Sequence, residues 1–114
     1  MATNAFKGQI TTIQKSPADL QIKDIINCVA DYYGLTRQQI IGKARTKNIS
    51  NARHITMYLC RKNLDVSYLK IGEELGGRDH ATVISACEKI SKLVRTDEAY
   101  KKVINEIEKN LLTD

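Results

Sequence analysis

Apolar residues recur along this chain at three- and four-residue spacing in one segment after another, and no stretch keeps the strict alternation that marks a half-buried strand. The first segment carries Ile22, Ile25, Ile26, Val29, Ala30 and Tyr33 and stops at Gly34. Ahead of it, Ser16-Pro17-Ala18-Asp19 has the form of a helix start, with a serine before a proline in the first turn. Thr36 is placed to cap a short helix through Ile41, and Gly42 to Asn48 reads as a basic loop. Ser50 or Asn51 is positioned to cap a third helix with Ile55, Tyr58 and Leu59 facing inward and Met57 as a further candidate. Val66 to Leu75 reads as a short fourth helix, with Val66, Leu69, Ile71 and Leu75 apolar, Ser67 as its cap and Gly76 in the C-terminal position. Asp79 is a good N-cap for a fifth, whose Val83, Ala86, Cys87, Ile90, Leu93 and Val94 mark one buried face. Thr96 or Asp97 then caps a last helix with Tyr100, Val103, Ile104, Ile107 and Leu111 along one side. The pattern predicts an all-α fold of about six helices around one core, with no internal repeat and no low-complexity segment. Residues 1–16 are polar and without periodicity and read as a flexible tail; residues 17–114 form one domain, a size that supports a single modest core.

The fourth and fifth segments together have the helix, glycine-bearing turn, helix plan of a DNA-binding helix-turn-helix. Gly76 and Gly77 permit the sharp turn, and the second helix opens with polar and small side chains. In that plan the first residues of the second helix enter the major groove, which places Arg78, Asp79, His80, Ala81 and Thr82 at base edges. The outer face of the same helix carries Ala81, Ser85, Lys89 and Lys92.

Charge sharpens this picture. The net charge of +5 suits a polyanionic partner but is a weak signal by itself. Its distribution says more: between Asp31 and Asp65 there is no acidic residue, while Arg37, Lys43, Arg45, Lys47, Arg53, Arg61 and Lys62 supply seven positive charges. Phosphate contact is the better reading of such a run, although Lys47, Arg61 and Lys62 serve equally well as solvated surface charge. Cys28, Cys60 and Cys87 stand 32 and 27 residues apart amid apolar neighbours. They are expected as buried free thiols, since neither a metal cluster nor a disulfide framework fits that spacing and odd count. The opening residues lack the apolar core of a signal peptide and no run is long enough to span a bilayer, so a cytoplasmic location is expected.

The run Gly-Gly-Arg-Asp-His-Ala-Thr-Val at 76–83, followed by Ala86-Cys87 and Lys89-Ile90, closely resembles the signature of the C-terminal DNA-binding domain of DnaA, the bacterial replication initiator. The resemblance extends back through Ile71-Gly72, Ala52-Arg53-His54, Gly42-Lys43-Ala44-Arg45 and Val29-Ala30-Asp31-Tyr32-Tyr33, and so covers roughly residues 20–112. It implies an initiator-type, Trp-repressor-like helix-turn-helix domain that binds a short A·T-rich box in double-stranded DNA, docks as a monomer and acts in replication initiation or its regulation. It implies that Arg45 enters the minor groove, where a guanidinium suits the narrow, negative groove of A·T-rich DNA. It implies major-groove contacts from residues 78–82, with Asp79 suited to a cytosine amino group, His80 to a thymine methyl or an acceptor and the Ala81 methyl to thymine. Arg78 and Thr82 are also suited to phosphates. Backbone contacts are implied for Lys43, Lys47, Arg53, His54, Ser85 and Lys89, which position the domain without reading sequence. The chain departs from the family pattern at Ala81, commonly a threonine, and at His54 and Glu88, where other polar or basic residues are common. The Glu88 carboxylate is expected to be held away from phosphate.

No Gly-x-x-x-x-Gly-Lys-Ser/Thr loop occurs, so this chain should neither hold a nucleotide nor hydrolyse ATP. No catalytic, metal or cofactor arrangement stands out by spacing, and an enzyme is not expected. Either an excised domain or a complete small protein would carry such a sequence; residues 1–16, which do not look like the end of an ATPase module, tilt the expectation to the second. A protein-interaction module, or a sequence-independent nucleic-acid binder using the same basic face, is the alternative function.

Overall fold

The computed structural model describes residues 19–111. Among them six helices and no strand are found: α1 (Ile22–Tyr33), α2 (Arg37–Ile41), α3 (Lys47–Asn63), α4 (Tyr68–Glu74), α5 (His80–Thr96) and α6 (Glu98–Leu111). Helix α3 is the central element, packed against α1, α2, α4 and α5, while α6 lies across α1 and α5. Each helix contributes its apolar stripe to one core, in which Ile25, Ile55, Leu59, Ile71, Ile90 and Ile107 are fully enclosed. The stripe of α6 is consumed there, with Ile104, Ile107 and Leu111 buried and Tyr100 and Val103 packed against them. No helix among the described residues is long and apolar enough to cross a membrane.

One expected boundary lies mostly outside the described residues and another moves. The helix start expected at Ser16–Asp19 falls mostly outside the described residues, and α1 begins at Ile22, where the Asp24 carboxylate accepts the Gln21 amide at 2.9 Å. Helix α3 begins at Lys47 rather than beyond Ser50, with Thr46 as its cap residue. Ile49 drives this change, because it is buried one turn before Ala52 and so extends the inward stripe toward the loop. In α4, Ile71, Gly72 and Leu75 face inward and Leu69 is 57% exposed, since a position two residues from Ile71 points to the opposite side of a helix.

The turn between α4 and α5 depends on its glycines. Gly76 and Gly77 both lie at positive φ, 87° and 79°, a region that other residues seldom adopt. At Gly72 the constraint is proximity: its carbonyl accepts the amides of Gly77 and Arg78, and an added Cβ would run into the Arg78 carbonyl oxygen. The turn is thus folded tightly onto α4, which fixes where α5 begins. Cys28, Cys60 and Cys87 are buried free thiols. Burial pushes Cys28 and Cys87 up to about 11 and Cys60 higher still, so all three stay protonated.

Candidate nucleic-acid interface

Helix α5 opens with Asp79 as N-cap, its carboxylate accepting the Thr82 amide at 2.8 Å. That bond holds the carboxyl below the usual range, so it is ionised at neutral pH. Asp79, His80, Ala81 and Thr82 are all exposed on this first turn. One and two turns on, Ser85 and Lys89 continue the exposed face while Val83, Ala86, Cys87 and Ile90 hold the helix to the core. A concavity beside the helix is lined by Asp79, Ala81, Thr82, Ser85 and Lys89 and closed on its far side by His54 of α3.

A second concavity joins it. Arg45, Lys47, Ser50 and Asn51 line it together with His54 and Lys89, the two residues common to both. The early start of α3 matters here, because Lys47, Ser50, Asn51 and His54 are thereby spaced at three and four residues on one helix face. Arg45 and Lys43 stand exposed in the loop between α2 and α3. The expected major-groove turn and the expected minor-groove loop therefore border one surface.

Arg53 and Arg78 do not stand there as expected. Arg53, expected on the DNA backbone, is only 5% exposed, and donates from Nε to the Ile40 carbonyl at 2.6 Å and from Nη2 to those of Gln39 and Gly42 at 3.0 and 3.1 Å. Arg78, expected in the major groove, is half-buried and donates to the carbonyls of Ile41, Gly42 and Leu75. Both guanidinium groups thus converge on the end of α2, whose last carbonyls have no partner within the helix and carry the negative end of its dipole. Burial, followed by the neighbouring charge of Arg78, lowers the pKa of Arg53. The two arginines tie the start of the basic loop to α3 on one side and to the helix-turn-helix turn on the other.

The remaining charges of the basic run also divide. Lys62 pairs with Glu108 at 2.9 Å. Arg61 lies over the Tyr68 ring, 4.3 Å from its centroid, and donates to the Val66 carbonyl. It remains exposed beside the N-terminus of α4, where a helix-turn-helix crosses the DNA backbone. The sequence left it evenly divided between phosphate contact and surface charge; the tyrosine seven residues on, at the start of the expected short helix, was the signal that it borders this motif. Glu88 lies with Arg61 and Arg95 along a separate groove, away from the one lined by Lys89 and Asp79.

A family model described as bacterial dnaA protein helix-turn-helix matches residues 22–90. The match takes in α1 to α4, the basic loop, the glycine turn and the first part of α5, more than half of the chain. With its helix-turn-helix in place and its recognition turn exposed, the chain belongs to the bacterial DnaA helix-turn-helix family, DNA-binding domains of replication initiation whose partner is double-stranded DNA.

Proposed function

We propose that the domain binds a short A·T-rich, initiator-type box sequence-specifically. Asp79, His80, Ala81 and Thr82 read base edges in the major groove, Arg45 enters the adjacent minor groove, and Lys43, Lys47, His54, Ser85 and Lys89 hold the backbone. The observation that carries this reading is the continuity of the exposed surface, which runs from the basic loop to the first turn of α5 across His54 and Lys89. An electrostatic binder needs no such set of base-reading groups next to its cations. In a competition titration by fluorescence anisotropy at near-physiological salt, a duplex carrying an initiator-type box should outcompete a scrambled duplex of the same composition by about a hundredfold or more. Equal binding would leave sequence-independent attraction alone. Arg45→Ala should weaken binding and relax the preference for A·T pairs flanking the box; an unchanged preference removes it from the minor groove.

A further inference from the structure

Among the described residues one buried side-chain nitrogen lacks a hydrogen-bond partner, Nδ1 of His54. That atom is enclosed, so a partner from outside the fold can meet the ring only at its other nitrogen, Nε2. The ring stands where the two concavities of the interface meet, between α3 and α5. Its charged surroundings are lopsided. Arg53 from its own helix, Lys89 from α5 and Arg78 from the turn all oppose a positive charge on it. Arg45 and Lys47 line the concavity on one side together with the Tyr100 phenol of α6, and Asp79 is the single carboxylate lining either concavity. Burial first, and these cations second, hold the imidazole below its ordinary pKa, so it is neutral in the free domain at pH 7.

A phosphate in this place reverses the balance, because its charge offsets the surrounding cations and its oxygens accept from the ring. We infer that His54 is a proton-linked phosphate contact: the DNA backbone, seated between α3 and α5, draws a proton from solvent onto its imidazole, so the domain binds DNA more tightly in mild acid. This rests on the backbone reading of the same surface given above. Binding raises the pKa from its value in the free domain. The added affinity is therefore absent well above the bound value, grows as pH falls through it, and levels off below the free value.

The test is an anisotropy titration of the full chain against box and scrambled duplexes at fixed ionic strength, between about pH 8 and pH 6, the range in which histidine titrates. From the higher pH to the lower, the unaltered protein should tighten about fivefold or more on both duplexes, because a phosphate contact is blind to sequence and one unit of pKa shift is worth about tenfold. His54→Gln keeps a donor but cannot titrate, and should lose most of that gain on both. His54→Lys is always charged and should give a flat profile with affinity near the low-pH value. His80→Gln is the control for the second histidine and should keep the His54-dependent gain on the scrambled duplex. Calorimetry in two buffers of different ionisation enthalpy should show less proton uptake for His54→Gln than for the unaltered protein. An identical pH profile in His54→Gln and the unaltered protein overturns the inference. Equal binding to both duplexes with the His54-dependent profile intact would instead remove the box reading and leave this one standing.

Discussion

Arg53 and Asp79 are both charged residues expected at the DNA, Arg53 on the backbone and Asp79 at base edges. The structure separates them. Asp79 stands exposed at the head of α5, its carboxylate capping the helix through the Thr82 amide. Arg53 is enclosed, its guanidinium spread over the carbonyls of Gln39, Ile40 and Gly42. One region is open to a partner and the other is held. The held region fixes where the loop starts, because Arg53 and Arg78 both grip the Gly42 carbonyl, the point from which the chain departs toward Arg45. The charge of a basic motif residue does not by itself leave it open to a phosphate; its donors must also be untaken.

The most direct way to break this comparison is Arg53→Ala. It removes the Arg53 donor from the Ile40 and Gln39 carbonyls and one of two arginine donors from that of Gly42, and leaving even one such group unsatisfied costs about 1–3 kcal/mol. A stability loss of about 3 kcal/mol or more is expected, read from the urea midpoint with an unchanged slope. Arg53→Lys should recover only part of it, since an ammonium cannot span the fork of carbonyls that a guanidinium does. Arg37→Ala, at an exposed arginine of α2, should stay within about 0.5 kcal/mol. If the two alanine variants are equally stable, Arg53 is not a clamp.

Asp79 sharpens the other side. Asp79→Ser keeps an oxygen able to cap α5 but removes the carboxylate, while Asp79→Ala removes both functions. If the carboxylate reads a base, both variants should lose roughly tenfold or more on the box and much less on scrambled DNA. Only Asp79→Ala should also lower the unfolding midpoint. Should Asp79→Ser bind the box as the unaltered protein does, capping is the whole of its role.

Helices were legible wherever a stripe of apolar residues met a clear stop or start signal. Asp79 before Val83, and Thr36 before Ile40, both cap through their side chains as their position predicts. The start of α3 was not, because Thr46 turns its hydroxyl to the Asn48 side chain and makes no side-chain bond to a helix amide, so the boundary carries no cap signal and coincides instead with the burial of Ile49. Leu69 misleads for a related reason: in a helix of seven residues, one apolar side chain on the wrong face leaves too little periodicity to expose it. The fates of Arg53 and Arg78 were illegible in principle. Their partners are backbone carbonyls up to 37 residues away, and a carbonyl has no sequence signature. The exposed set at residues 79–82 was legible because local geometry, a glycine turn followed by a cap, fixes it almost alone.

The smallest expected effect tests whether the cations outside the clamp act as a group. Lys47 and Lys89 are exposed, flank His54 from α3 and α5, and make no contribution to the core. Lys89→Ala should leave the urea midpoint nearly unchanged and weaken box and scrambled duplexes by similar factors, because a phosphate contact carries no sequence information. Each neutralised phosphate releases condensed counterion, so the slope of log affinity against log salt should fall in magnitude by about one for Lys89→Ala, and by about as much again when Lys47→Ala is added. Lys102→Ala, at an exposed lysine of α6 along a separate groove, should leave that slope where it was. Equal slopes in all three proteins would take Lys47 and Lys89 off the DNA backbone and show that exposure beside the first turn of α5 is as poor a guide to contact as charge is.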